Sequence, residues 1–258
     1  MDRPTIAVSA HWHMGPERME WIAVQNLAME YSPNPDALDK LSSHVDPFLS
    51  AGVPIRYHAF FPHHPLGHVQ PEIAERAFEA HTAAVKAIQQ QGGKVLTIHV
   101  GLDREEPLDH ERVVKDLTRL VEAASERGIT LCLENLRTGL ASRPETVSAW
   151  ARASGAMITL DVGHALSCPR VKAGEMTPFD FVDAFQDRIY EAHIYGYEKG
   201  HHHYPPHDLT VLGPILDRLL ETPCSWWTIE LDSYDDILST RKLLLEHLGA
   251  EESGIQNE

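Results

Sequence analysis

Cysteine is scarce: the 258 residues contain three, Cys132, Cys168 and Cys224. An odd number without paired metal-ligand spacing argues against a disulfide framework or a thiolate zinc site, and makes a reducing cytoplasm the expected location. Positive charge is also short, with 22 Lys and Arg against 38 Asp and Glu and a formal net charge of −16. Such a chain repels a phosphate backbone, so nucleic acid is a disfavoured partner and a small molecule the expected one. No stretch approaches the roughly 20 apolar residues of a membrane helix. The opening MDRPTIAVSA has neither the basic start nor the long apolar run of a secretion signal. Linkers and low-complexity segments are missing as well, which argues for one domain.

What the chain does have is alternation. Apolar residues make up 43% of it, enough for a sizeable core. Short apolar runs at 5–10, 23–31, 54–60, 94–100, 129–135, 156–162, 188–195 and 225–231 read as eight strands. Between them lie segments with apolar residues three and four apart, such as PEIAERAFEAHTAAVKAIQQQGG and HERVVKDLTRLVEAASERG, which read as helices. Gly52, Gly92, Gly128 and Gly249 stand where helix C-termini are expected. Strand–helix repetition of this kind predicts an α/β fold, a single-domain (β/α)8 TIM barrel over residues 1–250, with a polar tail at 251–258.

Six consecutive strands carry a metal-competent side chain near their C-terminal ends: His58, His99, Glu134, Asp161, His193 and Glu230. One at a time, each is explained as a hydrogen-bonded rim histidine or a helix cap. A barrel, however, brings these strand ends to one mouth, and buried carboxylates must be paired or bind a cation. A shared divalent ion resolves that cost. His164, three residues beyond Asp161 in LDVGHA, either joins the site or starts a helix. The loop GHHHYPPHD (200–208) follows the seventh strand and hangs over the same mouth, so that His201, His203 or His207 can reach an ion while His202 faces solvent.

IHVG, CLENL, LDVGHA, EAHIYG and TIELD together resemble the xylose-isomerase-like TIM barrels, the superfamily of sugar isomerases, epimerases and apurinic-site endonucleases. The resemblance implies one divalent ion, Mn²⁺, Mg²⁺ or Co²⁺, on Glu134, Asp161, His193 and Glu230, with Glu134 and Glu230 also moving the proton of an isomerase or epimerase acting on a sugar, sugar phosphate or related polyol. It equally implies a second reading, a multi-metal phosphoesterase with Zn²⁺ on His58, His99, His164 and His203, in which His201 stands where the nucleases have an aspartate. A non-haem iron oxidase on the same barrel and a metal-storage protein, suggested by 17 histidines, are further alternatives.

His11 and Trp12 follow the first strand and are candidates to stack on a substrate ring. Arg137, Arg143 and Arg170 follow strands five and six and are candidates to hold a substrate anion. Glu30 is expected to bind substrate or pair with Arg56. Pairing of subunits through an apolar face of the barrel is left open by the sequence.

Overall fold

The computed structural model describes residues 3–102 and 107–250; the expected tail at 251–258 lies outside them. Eight parallel strands close into a barrel: β1 (Thr5–His11), β2 (Ala28–Ser32), β3 (Ile55–Ala59), β4 (Val95–Ile98), β5 (Thr130–Glu134), β6 (Met157–Asp161), β7 (Ile189–Ile194) and β10 (Trp226–Ile229). Helices α1 (Pro16–Val24), α2 (Leu41–Ser50), α3 (Pro71–Gln90), α4 (His110–Ser125), α5 (Pro144–Ser154), α6 (Val162–Ser167), α7 (Pro169–Lys172), α8 (Phe179–Phe185), α9 (Gly213–Leu220) and α10 (Tyr234–His247) form the connections. The expected barrel is therefore present. All four glycines expected at helix ends take positive φ, which costs glycine little.

Two boundaries differ from the sequence reading. The expected strand at 23–31 begins only at Ala28, because Ala23 and Val24 finish α1 and Asn26 then turns the chain in a left-handed conformation (φ 52°). The histidine-rich stretch is a hairpin, with β8 (Tyr197–Lys199) antiparallel to β9 (His202–Tyr204). Gly200 (φ 67°) makes its turn, and Tyr197 stacks on Tyr204 at 4.8 Å.

Strand alternation divides the last strand as expected. Trp227 joins the main core between barrel and helices, whereas Trp226 packs with Ala7 and Ala28. At the other end, Arg18 of α1 is almost fully buried and ties two mouth loops together. Its guanidinium donates to the carbonyl of Ser9 (3.1 Å) in β1 and to those of Leu231 (2.6 Å) and Asp232 (3.1 Å) after β10. The segments bearing His11 and Glu230 are thereby fixed against each other. Losing this group leaves buried carbonyls unpaired, at about 1–3 kcal/mol. Arg18→Ala is expected to lower the unfolding free energy in urea by that amount and Arg18→Lys to recover only part of it; an unchanged melt would contradict the clamp.

Candidate metal centre

Each strand-end residue reaches the mouth for a local reason. Glu134 and Asp161 are the last residues of β5 and β6, His58 and His193 the next-to-last of β3 and β7, and His99 and Glu230 follow β4 and β10 directly. Neighbouring registers align them, with Asp161 opposite His193 across β6 and β7. Asp161 has two tasks. Its Oδ1 accepts from the His164 backbone N–H (2.6 Å) and caps α6, while Oδ2 accepts from the Tyr195 hydroxyl (3.1 Å).

The quartet expected from the resemblance does not form a single ion-sharing group among the described residues, but its other three members all approach His193. His193 Nδ1 lies 3.5 Å from Glu134 Oε2, 3.3 Å from Glu230 Oε1 and 4.0 Å from Asp161 Oδ2. The additional histidines surround the same carboxylate: Glu134 Oε2 is 3.0 Å from His99 Nε2 and 3.3 Å from His58 Nε2, and Glu134 Oε1 is 3.5 Å from His164 Nδ1. Ligand atoms close enough to share an ion fall into the groups His58–His99–Glu134, Glu134–Asp161–His164, His164–Glu198–His203 and Glu30–His58–His193–Glu230.

A cation fits this donor set. Glu134 Oε2 and His193 Nδ1, 3.5 Å apart, are buried atoms without a hydrogen-bond partner, the pattern expected where a ligand rather than a neighbour satisfies them. Oxygen and imidazole donors suit Mn²⁺, Mg²⁺, Zn²⁺ or Fe²⁺, with no thiolate to favour a softer ion. The same crowding of charge shifts the titration of the residues themselves. Burial opposes charge on His164, but Asp161, Glu198 and Glu134 outweigh it and push its pKa up to about 10. His193 is likewise driven well up by Glu230, Glu30 and Glu134 against its burial. Glu134 is held well below the usual carboxylate range, its burial overcome by His99, His193 and His58. Burial, reinforced by Glu134 and Glu230, lifts Asp161 to about 6.

The mouth opens into a cavity of about 960 Å³ whose walls include His11, His13, Phe60, Arg137, His201 and Asp232. His11 lies on the wall as expected, kept neutral because burial, His58 and His13 lower its pKa to about 3. Trp12 is 46% exposed and stands outside the lining, in the short turn between His11 and His13. Arg137 does line the cavity, but its Nε lies 2.9 Å from Glu198 Oε2 and an amino group donates to the Gly200 carbonyl (3.0 Å). Arg170 instead pairs with Glu145 on the outside (3.1 Å), and exposed Arg143 precedes α5, also outside the lining.

From the hairpin, His203 reaches the site, its Nδ1 bonded to the Glu230 carbonyl (3.0 Å) and its ring stacked on Tyr195 at 3.8 Å. His201 and His202 sit exposed at the outer wall and belong to none of the donor groups among the described residues, and exposed His207 lies outside both. Sequence reasoning missed Glu198, which supplies a carboxylate beside His164 (3.3 Å) from β8. It also misassigned Glu30. Although Glu30 and Arg56 are register neighbours on β2 and β3, Arg56 turns to Glu191 (3.0 Å) and Glu30 to His193 (3.0 Å).

The fold and a mouth of this composition define a (β/α)8 barrel able to hold divalent cations. The family model described as xylose isomerase-like TIM barrel matches residues 17–251, and the chain belongs to that family. An uncharacterised protein of Methanocaldococcus jannaschii is 35% identical over 158 residues, 61% of this chain and 68% of the relative. Among solved structures, a D-tagatose 3-epimerase-like protein superposes with a TM-score of 0.74 at 22% identity, covering 95% of this chain and 97% of its own. Endonuclease IV from Thermus thermophilus does so with a TM-score of 0.67 at 16% identity, covering 95% and 99%. At these identities the two structures share the fold.

Cation binding to the native state alone stabilises it by about 2.7 kcal/mol at a hundredfold excess over Kd. Added Mn²⁺ or Zn²⁺ is expected to raise the Tm of chelator-treated protein by several degrees, and Glu134→Gln to remove most of that rise. An equal rise in the variant would contradict a site centred on Glu134.

Proposed function

We propose that the protein is a divalent-metal-dependent isomerase or epimerase acting on an uncharged sugar or related polyol. The observation that carries this reading is the polarity of the cavity. Among its described lining residues Arg137 is the one Lys or Arg, and Glu198 and the Gly200 carbonyl already engage it. Among these described residues a phosphate group finds no free guanidinium or ammonium, whereas imidazoles, carboxylates, Ser9 and Thr138 offer the donors and acceptors that hydroxyl groups need. At about 960 Å³ the space accommodates a sugar ring with room to spare.

Glu134, Asp161, His193 and Glu230 would hold a divalent cation, which would supply Lewis-acid polarisation of a substrate carbonyl and so acidify the neighbouring C–H bond. The protein's part is to place two bases. Glu134 ends β5 and Glu230 follows β10, and β6 and β7 separate these strands in the barrel. A sugar seated between them meets one carboxylate from each side, so one removes the proton and the other returns it. His11, neutral at working pH, donates or accepts one hydrogen bond to a hydroxyl without adding charge. Phe60, edge-on to the His99 ring at 5.7 Å, presents an apolar wall to the C–H face of a sugar.

One observation favours a second reading. The His58–His99–Glu134 and His164–Glu198–His203 groups exceed what a single ion requires, and Glu134 is shared between two of the four groups. A multi-metal phosphoesterase would use such a bridging carboxylate to hold two ions, which would offset the missing basic side chains.

Incubation of Mn²⁺-loaded protein with a panel of ketoses in D2O separates the two. The isomerase reading expects loss of the proton signal beside the carbonyl, slowed at least about 100-fold in Glu134→Gln and Glu230→Gln. Absence of exchange on every ketose, together with phosphate release from simple phosphoesters and two or three Zn²⁺ per chain, would replace it with the hydrolase.

A further inference from the structure

The geometry points to Glu30 as a positioning residue that fixes which nitrogen of His193 faces the cation. The inference rests on the reading of His193 as a cation ligand and goes beyond it to the floor beneath the site.

An imidazole binds a metal through one ring nitrogen, and a partner on the other decides which. His193 is fully buried, and its two nitrogens have different surroundings. Nδ1 faces Glu134, Asp161 and Glu230 and has no hydrogen-bond partner. Nε2 faces the opposite way, hydrogen-bonded to Glu30 Oε1 at 3.3 Å and 3.0 Å from Oε2. A carboxylate there accepts the Nε2–H, which leaves the Nδ1 lone pair free for a cation.

Glu30 does not stand alone. It is 1% exposed and, in register, neighbours Arg56, which is bonded to the fully buried Glu191. Glu191 Oε2 in turn accepts from Arg56 (3.0 Å) and Oε1 from Thr228 (3.2 Å), whose hydroxyl accepts from Trp226 Nε1 (3.1 Å). Arg56 is itself stacked over the Trp226 ring at 4.5 Å. A bonded chain thus runs from Arg56 through Glu191 and Thr228 to Trp226, beside the buried Glu30–His193 pair.

The test compares Zn²⁺ and Mn²⁺ dissociation constants and saturating stoichiometry, by competition with a chromophoric chelator, in wild type, Glu30→Gln, Glu30→Asp and Glu191→Gln, with the metal-free Tm of each. Removing such a partner costs about 10–100-fold in affinity. Glu30→Gln is expected to show that loss at unchanged stoichiometry, Glu30→Asp to recover part of it, and Glu191→Gln to lose less. A Glu30→Gln variant with lower Tm but wild-type affinity would overturn the inference, as would loss of a whole equivalent of metal, which would make Glu30 a ligand. Should the variants not fold, ¹¹³Cd²⁺-loaded wild type with ¹⁵N-labelled histidine decides: coupling to His193 Nδ1 supports the inference and coupling to Nε2 overturns it. Wild type that takes up no cation removes the cation reading and this inference together, whereas unchanged affinity in Glu30→Gln removes this inference alone.

Discussion

Carboxylates gathered out of water at one point must be neutralised, and the architecture of this mouth follows from that constraint. Glu30, Glu134, Asp161 and Glu230 are each less than a tenth exposed and converge with five imidazoles, those of His58, His99, His164, His193 and His203. Leaving such groups charged and unpaired costs several kcal/mol apiece. The surrounding carboxylates correspondingly favour the charged forms of His164 and His193. A divalent cation would perform the same task at closer range, and the buried, unpartnered Glu134 Oε2 and His193 Nδ1 lie 3.5 Å apart.

The barrel makes the concentration possible without unfolding the chain. The metal-competent side chains gather at the C-terminal strand ends, where Arg18, the Asp161 cap and the Tyr195–His203 stack tie the loops together. Gly163 is part of that support: a Cβ there would come within 2.0 Å of the Tyr195 ring, which donates to Asp161. Support from behind comes from Glu30, whose carboxylate lies 3.0 Å from His193 Nε2.

The fold and much of the site were legible because both are written in short-range pattern. A strand buried on two faces reads as an unbroken apolar run, and an acidic or imidazole residue at its end, as in ITLCLEN or AMITLDV, stands out. The illegible parts depend on direction. Glu30 and Arg56 sit side by side in register, yet the side chains go to His193 and Glu191 on another strand. Glu198 is unremarkable in HIYGYEKGHHHY until the hairpin turns it toward His164. The same hairpin leaves His201 and His202 at the rim and brings in His203, a choice that depends on β-pairing rather than on composition. Asn26 shortened the second strand through a backbone conformation that the apolar pattern around it does not encode.

The central claim is that side chains from separate strands share one cation. Anomalous diffraction from crystals grown with Mn²⁺ or Zn²⁺ tests it most directly. A peak roughly 2.0–2.2 Å from ligand atoms of Glu134, Asp161, His193 and Glu230 is the predicted result. A mouth without anomalous density under saturating metal, or a peak bound only by surface histidines such as His201 and His202, would contradict it.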